Sequence, residues 1–310
     1  MRILHVENTA GNPYRLAMAQ RELGHEAHVI ETWRSYIGYP HHIENYYDGN
    51  KLQNLLKMTK TVKWGRHFDI VHAHSGLRRI RIDVAALKAF FRKPLVVHYR
   101  GEETRRGYGV AYQRLIDRKF VSTPDLLKWH SDAVFLPNPM TLLPYSFDPS
   151  DTPYVLHMPT DRRLKGTSLI LEAVQELKDE GVRFDFHLVE GVAHEEAIIE
   201  LKKTHIVIDQ IIDERETGIP GLPGTISLEA MSMGKTSVSH LSSDMADYYP
   251  GIPIVNADVN RESIKEKLRY LIENMDETKR IGLAGREYVG RFHDPVAIAK
   301  RTIKEYEELL

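Results

Sequence analysis

Short runs of apolar residues alternate along this chain with longer stretches whose apolar positions recur every three or four residues. The first pattern reads as buried strand and the second as amphipathic helix. Strands are expected at 3–7, 27–31, 69–73, 94–99, 120–122 and 133–136, with helices at 14–23, 51–64, 82–91 and 124–129. A proline-rich stretch without periodicity, from Pro137 to Pro153, reads as a linker. A second series follows, with strands at 154–157, 184–190, 206–209, 236–240 and 253–255 and helices at 167–178, 195–203, 226–233 and 262–274. Repeated strand-helix-strand units imply parallel sheets covered on both faces. The expected fold is therefore α/β, with two Rossmann-like, doubly wound parallel-sheet domains. The N-terminal domain spans 1–140, the linker 141–152 and the C-terminal domain 153–294, and a cleft is expected between the C-terminal strand ends. A last helix, 295–310, comes after the second series is complete and is expected to pack back on the first domain.

Composition narrows the class without changing this picture. The chain has 310 residues, 42% hydrophobic and 27% charged, the balance of a soluble protein able to bury two cores and not that of a disordered chain. With no cysteine, disulfides and thiolate chemistry are excluded, and a reducing cytoplasm is compatible. The start, Met1-Arg-Ile-Leu-His-Val-Glu7, is too short an apolar run for a signal peptide and reads as the first strand. The net charge of −1 hides an asymmetry: residues 1–150 carry 22 Lys and Arg against 14 Asp and Glu, and residues 151–310 carry 20 against 29. The excess includes Lys57, Lys60, Lys63, Arg66, Arg78, Arg79, Arg81, Arg92 and Lys93. Such a domain favours an anionic partner: an acidic acceptor, an anionic membrane surface or the acidic half of the same chain. Nucleic acid is not expected, because the aromatic residues show no stacking-module pattern.

Two turns carry the chemistry. Asp161-Arg162-Arg163-Leu164-Lys165-Gly166 joins a strand to a helix, and Gly218-Ile-Pro-Gly221-Leu-Pro-Gly224-Thr225 opens the helix that holds Glu229. Glycine turns at helix starts offer backbone N–H groups and the positive end of a helix dipole, so two of them, one basic, suit a diphosphate. Gly234-Lys235-Thr236 imitates the end of a P-loop, but it leaves a helix where a P-loop enters one.

The series His157-Met-Pro-Thr-Asp-Arg162-Arg-Leu-Lys165-Gly166-Thr167, Asp209-Gln210 and Leu228-Glu229-Ala230-Met231 resembles the retaining glycosyltransferases of the GT-B fold, family-4 type. Ala10-Gly11-Asn12-Pro13 and Asp69-Ile-Val-His72-Ala-His74-Ser75 extend the resemblance into the first half. It implies transfer of a sugar from a nucleoside diphosphate sugar to an acceptor with retention of configuration, by front-face substitution without a protein nucleophile. Lys165 and Arg162 would face the diphosphate, Gly224 and Thr225 would supply helix N-terminus contacts, and Glu229 would accept from the ribose hydroxyls. Gly11 would let the backbone approach the donor. His74 would lie beside the reacting sugar, while His98 and Arg100 would line the acceptor side. The family commonly carries a glutamate eight residues before the one matched by Glu229; this chain has Gly221 there.

No Asp-x-Asp pair occurs, so no metal cofactor is expected, and the cation's role on the diphosphate falls to Arg162, Lys165 and the helix dipole. His72 is expected on the face of its strand opposite His74, as a core histidine. Two other functions compete with glycosyl transfer. One is a non-catalytic nucleotide-sugar binding protein, favoured by Gly221. The other is a metal-dependent hydrolase using His5, His72, His74 and His98. The helix at 51–64 mixes leucines with Lys57, Lys60 and Lys63; packed on its own domain it is ordinary, and laid on an anionic membrane it would imply a lipid-linked acceptor at the inner face. A soluble saccharide acceptor is the alternative.

Overall fold

All strand pairs in the computed structural model, which describes residues 1–74, 81–105, 113–147 and 152–310, run parallel. The chain folds as two compact units, Met1–Pro139 with His293–Leu310, and Met140–Phe292. Arg78, Arg79, Ser75 and linker residues 148–151 lie outside the described residues.

The first unit is a seven-stranded sheet of β1 (Arg2–Val6), β2 (Glu26–Glu31), β3 (Ile43–Glu44), β4 (Ile70–His74), β5 (Leu95–Tyr99), β6 (Arg118–Val121) and β7 (Val134–Phe135). Its order is β3-β2-β1-β4-β5-β6-β7. Helices α1 (Asn12–Glu22), α2 (Lys51–Gly65), α3 (Ile82–Phe91) and the short α4 (Glu102–Arg105) belong to the same unit. The second unit is a five-stranded sheet of β8 (Tyr154–His157), β9 (Asp185–Leu188), β10 (Ile206–Ile208), β11 (Thr236–Ser239) and β12 (Val255–Asn256), in the order β12-β11-β10-β8-β9. Its helices are α5 (Arg162–Lys165), α6 (Thr167–Asp179), α7 (His194–Lys203), α8 (Glu214–Thr217), α9 (Thr225–Ser232), α10 (Ser243–Ala246), α11 (Arg261–Glu273) and α12 (Met275–Phe292). Finally α13 (Pro295–Glu307) returns to the first unit. Among the described residues no helix is long and apolar enough to cross a membrane.

Both orders reverse direction once, between β1 and β4 and between β8 and β10. In open parallel sheets the crevice outside the strand C-termini at such a reversal is where ligands bind. The central strands β1, β4, β5 and β10 are buried on both sides, which explains why they lack polar alternation, whereas edge strand β9 alternates exposed and half-buried residues. Leu4, Val6, Val71, Ala73, Leu95 and Val97 point into one core with α3, and Ile3, Ile70, Val96 and Phe120 into another with Tyr306 of α13. Helix α13 starts at Asp294-Pro295, where the Asp294 carboxylate accepts from Ala297 N–H at 2.8 Å and the proline has no donor to lose. It packs along α1 through Leu16, Ala19, Ile298 and Ala299.

The expected helix at 124–129 is a single 3-10 turn, Pro124–Lys128. Unexpected from the sequence is α12, 18 residues long, whose buried side is Thr278, Gly282, Gly285 and Val289. A Cβ at Gly282 would overlap the Gly234 carbonyl, so small residues let this helix press against the turn before β11.

Candidate functional site

In the second unit the basic turn and the glycine turn meet at the reversal between β8 and β10. Asp161 caps the one-turn helix α5, its Oδ1 accepting from Arg163 N–H at 2.9 Å and Leu164 N–H at 3.0 Å. Gly166 ends that turn at φ 70°, and a Cβ there would overlap the Ile211 carbonyl oxygen. Only glycine satisfies both conditions. This geometry aims Lys165 at the end of β10, where its Nζ donates to Asp209 Oδ1 at 2.6 Å and Gln210 Oε1 at 3.1 Å. The other Asp209 oxygen accepts from Gly224 N–H at 2.6 Å and Ser227 Oγ at 2.7 Å, at the start of α9. One buried carboxylate thus bridges the lysine and the helix N-terminus. A Cβ on Gly224 would overlap Asp209 and stand 2.9 Å from Lys165 Nζ, which accounts for glycine at that position.

The other residues that the sequence predicts for the donor side lie around this pair. Thr225 is the first residue of α9. Arg162 is exposed and grips Glu190 beyond β9, through Nε at 2.9 Å and Nη2 at 2.5 Å. Glu229 is buried one turn into α9, and its Oε1 lies 2.9 Å from His194 Nε2 at the start of α7. The sequence reading missed His194; its signal is the Gly191-Val-Ala-His194 turn that opens a helix after a strand, as the other two turns do. At Gly221 a Cβ would overlap the ring of His240 and come within 2.9 Å of its carbonyl. The histidine after β11 therefore fills the room that a side chain at 221 would need. Gly221 and His240 line a pocket of about 430 Å³ with Asp213, Glu214, Arg215, Ser242 and Val259.

The corresponding edge of the first unit is built differently. Gly11 takes φ 67° before α1, and the close approach it permits is made by Tyr39, whose ring would stand 2.6 Å from a Cβ there. Glu7, at φ 75°, ends β1 in a strained conformation. Its carboxylate is fixed by Thr32 and by buried Arg81, whose Nη1 lies 2.5 Å from Oε1. Arg81 also grips Asp83 through Nε at 2.9 Å and Nη2 at 2.7 Å, so this member of the basic excess is neutralised internally.

His5, His72, His74 and His98 all project from the β1, β4 and β5 face that α13 covers, and all are buried. The expectation that His72 and His74 lie on opposite faces is corrected: residues two apart on a regular strand share a face. Their ring centroids are 4.1 Å apart. His72 Nδ1 lies 2.6 Å from the Tyr306 hydroxyl. Burial holds His72, His74 and His98 well below the ordinary histidine range and His5 at about 4, so all four rings are neutral.

Hydrogen bonding then assigns the tautomers. Arg100 Nη2 is 2.8 Å from His74 Nδ1 and can only donate, so that nitrogen accepts and His74 carries its proton on Nε2. Nε2–H donates to His5 Nδ1 at 2.9 Å, and His5 Nε2–H donates to Gln20 Oε1 at 2.8 Å. The Gln20 amide continues to Thr302 Oγ1 at 3.2 Å, and Thr302 donates to the Ala299 carbonyl at 2.8 Å. Although nitrogens of His5, His72 and His74 lie within 4.8 Å of one another, those of His5 and His74 are committed to this chain. Those hydrogen bonds compete with metal ligation, and Arg100 puts a positive charge beside the rings. His74 likewise has no nitrogen left to touch a sugar. Arg100, half-buried, borders this cluster, with Nη1 on Asn138 Oδ1 at 2.7 Å and Nη2 at 3.4 Å from His98 Nδ1. Burial pulls Arg100 down to about 9.

No protein-family model matches the sequence, and no curated protein matches it. Solved structures do. An α-glucosyltransferase in complex with UDP and a 13-mer DNA superposes with a TM-score of 0.69 at 12% identity, over 99% of each chain. HepE of Anabaena, in complex with UDP, gives 0.67 at 15% identity, over 99% of this chain and 100% of that one. Sucrose-phosphate synthase of Thermosynechococcus elongatus gives 0.66 at 14% identity, over 100% and 99%. At these identities the likeness is one of fold: two parallel α/β sheets arranged along the chain as in the GT-B glycosyltransferases.

Proposed function

We propose that this protein is a retaining glycosyltransferase that takes a sugar from a nucleoside diphosphate sugar and needs no metal ion to do so. The observation that carries the reading is the meeting of Lys165, Asp209 and the start of α9 at the reversal point of the second sheet. Two of the similar structures were solved with UDP bound, which supports a nucleoside diphosphate as the ligand.

In this reading Lys165 exchanges part of its contact with Asp209 for the diphosphate, beside the N–H groups of Gly224 and Thr225. The glycosidic bond to the leaving phosphate breaks, negative charge grows on that oxygen, and Lys165 and Arg162 stabilise it where it develops. The acceptor oxygen attacks the same face of the sugar and gives its proton to the departing phosphate oxygen. Glu229, oriented by His194, accepts from the ribose hydroxyls. Arg100 is the acceptor-side residue, and His74 and the equally buried His98 serve as positioning residues that hold it. The acceptor is a saccharide, lipid-linked or soluble, and the reaction belongs to the cytoplasm.

The test is turnover of a panel of nucleoside diphosphate sugars with excess chelator present. Activity should persist in chelator and fall roughly 100-fold in a folded Lys165→Ala variant, the scale of about 2.7 kcal/mol for one preorganised charge contact. Nucleotide binding without any turnover would favour the non-catalytic reading, for which the His240 ring in the space that a side chain at 221 would need is the supporting observation.

A further inference from the structure

Helix α2 is mounted the wrong way round for a surface helix. A helix on a domain ordinarily turns its apolar stripe inward and its charges to water. Of the 15 residues of α2 only Thr61 and Gly65 are buried. The side facing the unit packs Val62 on the first core and is otherwise held by polar contacts: Asn45 donates to the Lys57 carbonyl at 2.8 Å and to Thr61 Oγ1 at 2.9 Å, and Tyr47 lies 2.7 Å from the same hydroxyl. Lys57 is tied to the Tyr46 carbonyl and to Asp48, both at 2.5 Å. Gly65 lies beneath Leu87 of α3, with no room for a side chain. The leucines point outward, Leu52 67% exposed, Leu55 51% and Leu56 58%.

That outward face is also cationic. Lys51, Lys60 and Lys63 are exposed beside the leucines, and α2 contains no acidic residue. The neighbouring α3 ends in Phe90, 81% exposed, and the exposed pair Phe91-Arg92. A patch that joins leucine and phenylalanine to unopposed lysine and arginine matches a surface with an oily interior and anionic phosphates at its rim. An acidic protein groove would satisfy the cations but not so broad an apolar face. At 1.5 Å per residue α2 is about 22 Å long, suited to lying in the plane of an interface and not to crossing it.

We propose that α2 docks the protein on an anionic lipid bilayer, with Leu52, Leu55 and Leu56 entering the interface and Lys51, Lys60 and Lys63 meeting headgroup phosphates. The surface stands independently of glycosyl transfer; combined with that reading, it favours a lipid-linked acceptor. The experiment is co-sedimentation of the full chain with vesicles of neutral phosphatidylcholine, alone or mixed with phosphatidylglycerol. Wild type should sediment with the mixed vesicles at low salt, much less with neutral ones, and release by a few hundred millimolar salt. The triple variant Leu52→Gln, Leu55→Gln, Leu56→Gln should lose binding at every salt concentration. Replacing Lys51, Lys60 and Lys63 by glutamine should weaken it roughly 100-fold, whereas Lys57→Gln, removing a tethered cation, should change it least. Nucleotide binding, measured in parallel, should be the same in all of them, which separates failure of the membrane surface from failure of the donor site. Absence of wild-type sedimentation at low salt, or full binding by a folded leucine variant, overturns the proposal. So does a change in oligomeric state alone on removing the leucines, which would make the patch a self-association surface.

Discussion

The two sheet edges solve opposite electrostatic problems. In the second unit, charged groups meet polar partners: Lys165 pairs with Asp209, Arg162 with Glu190, and Glu229 faces the imidazole of His194. In the first unit four imidazoles are held neutral by burial, and one guanidinium leans on their lone pairs. An edge of paired charges can trade a partner for a ligand's charge without exposing an uncompensated ion. An edge of neutral rings cannot make that trade; it fixes direction instead, because each ring has one donor and one acceptor and Arg100 decides which is which. In the proposed reading the contrast gives anion chemistry to the second unit and positioning to the first.

Acid should separate the two edges most strongly. Each buried neutral histidine binds no proton in the folded state until well below pH 6.5, near 4 for His5 and His293, whereas the unfolded chain binds one near 6.5. Stability is therefore full above that value and falls as pH drops toward 4, by up to ~1.4 kcal/mol per pH unit for each histidine. His5, His72, His74, His98 and His293 belong to the first unit, and in the second His157 is a buried histidine held low in the same way. Amide exchange at pH 7.5 and 5 should show β1, β4 and β5 losing several kcal/mol of protection while β8 and β10 lose far less. Equal losses in both units would refute the neutral-ring account.

The next effect concerns Glu229. Glu229→Gln keeps the size but loses the charge that faces His194, so nucleotide affinity should fall by about 1 to 3 kcal/mol while the melting temperature changes little. Unchanged affinity would make Glu229 a structural carboxylate. Arg100→Gln gives the smallest change and the finest view of the first unit. With the obligate donor gone, the ¹⁵N shifts of His74 should move from a pure Nε2–H form toward a mixture; an unaltered spectrum would show that another group sets the tautomer.

How far the sequence disclosed this depends on what each element buries. Strands β1, β4, β5 and β10 were legible because both of their faces are covered and their apolar runs are nearly continuous. Helix α12 was not, although it is amphipathic, because it packs through Thr278, Gly282 and Gly285, and glycines inside a stretch read as helix breakers. The two-residue β3 is too short for any pattern. For α2 the helix was readable and its orientation was not, since an amphipathic period does not say which side faces the domain. At the donor edge the glycines marked their own turns, yet the bridging role of Asp209 and the contact from His194 depend on side chains brought together from different strands and helices. The histidine cluster was visible as residues but not as a directed chain, because its direction comes from Arg100 on one strand acting on His74 of the next.

The proposed donor site turns on Lys165, held by Asp209 at the start of α9 and proposed to receive a nucleoside diphosphate. Calorimetric titration of uridine diphosphate into wild type and Lys165→Ala, in chelator, decides the matter. Wild type should bind without added metal, and the folded variant should lose tenfold or more in affinity, about 1.4 kcal/mol or greater. Equal affinity in the two proteins, or binding that requires a divalent cation, would show that Lys165 does not hold the diphosphate as described.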